Sequence, residues 1–151
     1  QLSRRIVSEC GKLRRLPIEK GTGMLYAILC YHNEDVVMSW SKEEDDAVLA
    51  KRRRVQKELV DTDRMGPAIR LMPTSAATTL RASGNEHLVL DGPFAETKEQ
   101  LLGFYVVDCE NLEEVVDFAK RMKEGESVTF EIRPVQIFEK GNLPEREAST
   151  K

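Results

Sequence analysis

At 151 residues, 40% hydrophobic and 32% charged with a formal net charge of −3, the chain has the size and balance of one soluble domain, able to bury a core without metal or disulfide support. No apolar run approaches the roughly 20 residues of a membrane-spanning helix, so a cytoplasmic protein with no membrane partner is the expectation. The cysteines Cys10, Cys30 and Cys109 are odd in number and lack C-x-x-C spacing, which argues against a disulfide framework or a zinc site.

Residues 1–23 hold six basic and two acidic side chains, which leaves the rest of the chain acidic. An acidic domain repels nucleic-acid phosphate, so that class of partner is not expected. The segment shows no sustained period and ends in Gly21-Thr22-Gly23, directly before Met24. It reads as a flexible extension outside the fold, with a basic arm or a targeting peptide as the alternative.

Leu25 to Tyr31 is apolar at both alternating sets of positions, the mark of a strand covered on two sides. Cys30 within it reads as packing, and His32 follows at the strand end beside Glu34 and Asp35. Ser41-Lys42-Glu43-Glu44 has the form of a capping box and predicts a helix to about Val60, with Val48, Val55 and Leu59 facing the sheet. The Lys51–Arg54 run reads as a solvated face, with Arg54 and Glu58 spaced for an i,i+4 pair.

Met65 to Leu71 predicts a short or edge strand, and Ala77–Ala82 with His87–Leu90 a hairpin. Leu101 to Asp108 is a second strand apolar on both faces, with Cys109 at its end. A helix opens at Asn111, with Leu112, Val115, Val116, Ala119 and Met122 on its apolar stripe and Gly125 beyond its end. Val128, Phe130 and Ile132 alternate with polar residues in a last strand, and the apolar phase moves to Val135 and Ile137 after Pro134, as at a bulge or kink. From residue 139 the chain is a polar tail.

The order strand, helix, strand, hairpin, strand, helix, strand predicts an α+β ferredoxin-like sandwich with an extra hairpin. Two helices cover one face of such a sheet. The second face needs another cover, and a homodimer packed face to face would supply it.

The turn Asp91-Gly92-Pro93-Phe94 leads into Ala95-Glu96-Thr97-Lys98-Glu99-Gln100. Structurally, Asp91 is a turn residue whose carboxylate would reach the Phe94 N–H because Pro93 has none, Phe94 anchors the turn in the core and Thr97 caps one helical turn. Functionally, Asp91 or Glu96 serves as a general base at a cleft mouth, Lys98 holds an anionic substrate, and His32 and Tyr26 line the cleft. Both readings are open on the residues alone. No phosphate loop, dinucleotide fingerprint or metal-ligand spacing is present, so no cofactor is expected.

The stretch DGPFAETKEQLLGFYVVD, together with LYAILCY and EIRPVQIF, resembles bacterial DGPF-type members of the YCII-related family over Met24 to about Phe138. The resemblance implies a dimeric α+β barrel with clefts between the sheets. Some YCII-type relatives pair a histidine on the first helix with an aspartate, but Ser41–Val60 contains no histidine, so that dyad does not carry over. Two functions follow as expectations. One is a cleft near the DGPF turn performing cofactor-free acid/base chemistry on a small molecule. The other is a noncatalytic ligand-binding or regulatory module linked to sigma-factor-dependent transcription.

Overall fold

A computed structural model describes residues 5–7, 13–15 and 23–147. Within residues 1–23 it describes a short antiparallel ladder, β1 (Arg5–Val7) with β2 (Leu13–Arg15). The remainder of the expected extension and the last four residues of the tail lie outside the described residues.

The core is a four-stranded antiparallel sheet. Its central strands are β3 (Met24–His32) and β7 (Gln100–Cys109), flanked by β4 (Met65–Arg70) beyond β7 and β8 (Thr129–Pro134) beyond β3. Helices α2 (Lys42–Val60) and α3 (Leu112–Met122) pack on one face. This is the expected ferredoxin-like order, and the extra hairpin is present as β5 (Thr78–Ser83) and β6 (Glu86–Asp91). No described helix is long and apolar enough to cross a membrane.

Ser41 starts α2 as its spacing predicts. Its hydroxyl accepts from the Glu44 amide, and the Glu44 carboxylate accepts from the Ser41 amide, satisfying two otherwise orphaned donors. Asn111 caps α3 by accepting from the Glu114 amide, while the Glu114 carboxylate accepts from the Glu110 amide. The α3 stripe differs from the expected one: Phe118 is buried and Leu112 is 55% exposed. Leu112 is the first residue of the helix, ahead of the turn that meets the sheet, and Phe118 shares a face with Val115 and Met122.

Alternation along β3 sorts its two faces. Tyr26, Ile28, Cys30 and His32 are buried under the helices, whereas Leu25, Ala27, Leu29 and Tyr31 are half-buried on the opposite, open face. Phe104, opposite Leu29, and Ile69, opposite Phe104, continue the open face across β7 and β4. Among the described residues the helices cover one face of these strands, and on the other Val106, opposite Ala27, is the most buried side chain at 7% exposed.

Three local features go beyond the expectations. A short helix α1 (Glu34–Met38) follows β3, capped by the Asn33 side chain. Strand β8 ends at Pro134; the Val135 amide still donates to the Leu25 carbonyl at 2.8 Å before the chain bends at Gln136, in keeping with the expected kink, and Ile137 is left 77% exposed. The KRRR run is a solvated face only in part: Arg53 and Arg54 are exposed, whereas Lys51 and Arg52 turn inward, and Arg52 shares the helix phase of Val48, Val55 and Leu59.

Candidate functional site

Among the described residues His32 is a buried polar side chain, 8% exposed at the end of β3. It lies on the helix side because it continues the Tyr26, Ile28, Cys30 alternation. Its Nδ1 lies 3.2 Å from the Asn33 carbonyl oxygen and its Nε2 3.0 Å from Ser127 Oγ. A carbonyl oxygen can only accept, so in the neutral ring Nδ1 carries the proton and donates. That leaves the Nε2 lone pair directed at the Ser127 hydroxyl, which can donate to it. The edge of Trp40, at 6.3 Å between ring centroids, closes another side. Ser127 itself is an exposed residue, so the pair joins a sheltered ring to a residue at the surface.

Beside this pair lies a cluster of charges. Arg52 donates from Nη2 to Glu126 Oε1 at 2.7 Å and from Nη1 to Tyr105 Oη at 3.2 Å, and its guanidinium stacks 5.6 Å from the Phe130 ring centre. Lys51 Nζ donates to the other Glu126 oxygen at 2.5 Å. Burial alone would lower the Arg52 pKa, but Tyr105 and Glu126 outweigh it and hold the guanidinium above its ordinary value. Burial also raises the Cys30 thiol, against the nearby Arg52 charge. These bonds tie α2 to the loop that carries Ser127.

The DGPF turn approaches the same end of the sheet by a different route than expected. Gly92 is clamped to the base of the hairpin, its amide donating to the Ala77 carbonyl at 2.7 Å and its carbonyl accepting from Thr79 Oγ1 at 2.7 Å. Phe94 does not anchor the turn; it is 76% exposed. Thr97 caps no helical turn, because its hydroxyl donates to the Glu99 carbonyl at 2.5 Å and the chain runs straight into β7. Gln100, opposite His32 in the sheet, accepts from the Glu34 amide and donates to the Thr97 carbonyl, pinning the turn to the start of α1. The acid that reaches β8 is Glu99, accepting from Thr129 Oγ1 at 3.5 Å.

Of the five residues singled out from sequence, Asp91, Glu96 and Lys98 are exposed on or after the hairpin. Tyr26 is 4% exposed in the main core, six residues and so about 20 Å along the strand from His32. No hydrogen bond or ion pair joins any two of the five among the described residues. His32 is the member that sits in a structured polar environment. Ser127, Arg52, Glu126 and Gln100 were not anticipated. The helix phase could have found Arg52, whereas Ser127 reaches His32 only through the long-range pairing of β8 with β3.

Elsewhere, a concavity of about 590 Å³ opens between α2 and α3 at the opposite end of the sheet. Two of its cations form cross-links, Arg121 with Glu58 and Arg64 with Glu114 at 2.7 Å. Among the described residues no group of three His, Cys, Asp or Glu side chains is arranged to hold a metal.

Residues 24–139 match the model of the YCII-related domain. The chain is also 50% identical over 123 residues to an uncharacterized protein of Rhizobium meliloti (strain 1021), covering 80% of this chain and 99% of that relative.

Proposed function

Because the chain belongs to the YCII-related family, whose domain spans its whole sheet and both main helices, we propose that it takes a small molecule at the His32 end of the sheet and performs cofactor-free acid/base chemistry there. The observation that carries the reading is the hydrogen-bonded state of His32. The Asn33 carbonyl orients the ring and leaves Nε2 free to accept a proton, which is what a general base requires. The DGPF segment supplies the outer wall, where Lys98 attracts an anionic group and Asp91 and Glu96 meet polar substituents of a ligand. Tyr26 supports the core rather than the ligand.

The proposed assembly is a homodimer that covers the open face, giving the dimeric α+β barrel. Leu25, Leu29, Tyr31 and Phe104 are half-buried apolar side chains on that face, and Leu80 and Val89 are each 65% exposed on a hairpin too small to be stable alone. The free, buried thiols Cys30 and Cys109 suit a reducing compartment such as the cytoplasm. The test is a titration with a panel of small carboxylic acids and phenols, read by nitrogen NMR of the His32 ring. Binders should shift the His32 signals and lose affinity in His32→Gln. If binders map only to other surfaces, or the panel binds His32→Gln equally well, the acid/base reading fails; a regulatory module recognising another ligand or partner would then be the better account.

A further inference from the structure

We propose that Ser127 is a nucleophile activated by His32, and that the site transfers or hydrolyses acyl groups of activated esters. This rests on the acid/base reading of His32 and deepens it. Three features of the structure converge on Ser127. Its Oγ is 3.0 Å from His32 Nε2, within the range for a nucleophile and its base. The third member of the relay is the Asn33 carbonyl, which accepts from Nδ1 at 3.2 Å and so performs the orienting role that a carboxylate performs in other serine sites. Ser127 is an exposed residue while His32 is 8% exposed, so the nucleophile would sit at the surface end of the pair and the base at its sheltered end.

The adjacent cluster supports the same chemistry. Glu126 immediately precedes Ser127 and is held by both Lys51 and Arg52, so the three side chains carry one net positive charge. They fix the loop through Glu126, and their field favours negative charge developing on an acyl oxygen next to Ser127. A serine that only completed the hydrogen bonding of a buried histidine would need neither exposure nor a fixed, positively charged surround.

In the proposed step the Ser127 O–H bond breaks and its proton passes to His32 Nε2 as Oγ bonds to the ester carbonyl carbon. The carbon–oxygen bond to the leaving group then breaks, and the departing alkoxide or phenoxide takes the proton from the imidazolium. Water repeats the sequence on the acyl-serine, giving up a proton to Nε2, releasing the carboxylic acid and restoring the serine. No oxidant, reductant or further co-reactant is consumed.

The full chain is incubated with an alkyl fluorophosphonate, which phosphonylates activated serines with loss of fluoride, and the adduct is located by peptide mass spectrometry. The expected result is one adduct per chain at Ser127, absent in Ser127→Ala and formed at least ~100-fold more slowly in His32→Gln. p-Nitrophenyl acetate should give a burst of one p-nitrophenolate per chain that Ser127→Ala abolishes. Since Ser127 is exposed, Ser127→Ala folds normally, and circular dichroism checks both variants. Absence of a Ser127 adduct on the folded wild-type chain, or labelling unchanged in a folded His32→Gln, overturns the inference. In either case ligand-induced shifts of the His32 ring separate the two readings: if they persist, only the nucleophile is wrong, and if they are absent too, the acid/base site is wrong as well.

Discussion

Arg52 and Glu126, 74 residues apart in the chain, meet at 2.7 Å with side chains only 12% and 9% exposed. The pair joins the middle of α2 to the loop entering β8, and it is the closest charged neighbour of Ser127 along the chain. A nearly buried charge is tolerated when its partner and further hydrogen bonds are in place, and removing one partner exposes the full desolvation penalty of the other. Arg52→Ala should therefore destabilise the fold by about 3 kcal/mol, with the loss of the Phe130 stacking included. Glu126→Gln should cost less, because the amide oxygen still accepts from Arg52 and both cations retain partial access to water. Urea unfolding of the two variants checks the order; equal or negligible losses would mean that the pair is dispensable to the packing.

Cys109 gives a pH dependence with a definite sign. It is fully buried, and burial first, then the Glu114 carboxylate, pushes its thiol up from 9.0 to about 12. Its folded pKa is thus above its unfolded value, so the folded state holds the proton more tightly. The stability it contributes is fully present below pH 9 and is lost as pH rises toward about 12. Lysines and tyrosines titrate in the same range, so the measurement is a difference: urea midpoints of wild type and Cys109→Ala at pH 8, 9.5 and 11. The wild type should lose the larger amount, approaching 1.4 kcal/mol per pH unit in that window. Parallel curves would show that Cys109 does not titrate as its surroundings require.

Much of the fold was legible because its signals are local. The Ser41–Glu44 capping box, the two-sided apolarity of Leu25–Tyr31 and Leu101–Asp108, and the Gly84-Asn85 hairpin turn each depend on a few adjacent residues, and each stands where expected. The site was less legible because its members come from four separated elements. Its place at the end of β3 singled out His32, but its partner Ser127 follows α3, and only the β3–β8 register brings them together. The DGPF turn was misread for a related reason. Thr97 and Gln100 have the spacing of a helix cap, yet the sheet takes Gln100 as its first β7 residue, and tertiary pairing overrides the local preference. The charges of Lys51–Arg54 misled by composition; the phase with Val48 and Val55 was the better guide to Arg52.

Gly103 shows why a glycine stands in the middle of an apolar strand. A side-chain carbon there would lie 2.0 Å from the Ile69 carbonyl oxygen, on the neighbouring strand β4. The close approach coincides with the irregularity at Cys30–Tyr31, where Tyr31 pairs with Leu101 and β7 carries an extra residue. Gly103→Ala must push β4 away from β7, and the expected loss is on the order of 3 kcal/mol, with the damage centred on β4. Hydrogen exchange should show the Ala68–Arg70 amides losing protection before those of β3 and β8. An alanine variant of wild-type stability would mean that the strands separate without cost.

The open sheet face is where the proposed assembly can be tested without harming the chain itself. Leu29 is half-buried there, directly opposite Phe104 on β7 and Glu131 on β8. Leu29→Lys places a charge in the centre of that face, which a face-to-face dimer would have to bury unpaired. In the separated chain the same lysine faces water and has Glu131 as a cross-strand partner, an arrangement worth a few tenths of a kcal/mol in its favour. The variant should therefore keep its circular dichroism spectrum while its mass by light scattering falls to half that of the wild type. An unfolded variant would be uninformative, so Phe104→Lys, on the neighbouring strand, is measured beside it. A wild type that is already monomeric at high concentration, or a folded Leu29→Lys that remains dimeric, would remove the face-to-face arrangement and leave the exposed Leu80 and Val89 of the hairpin as the next surface to probe.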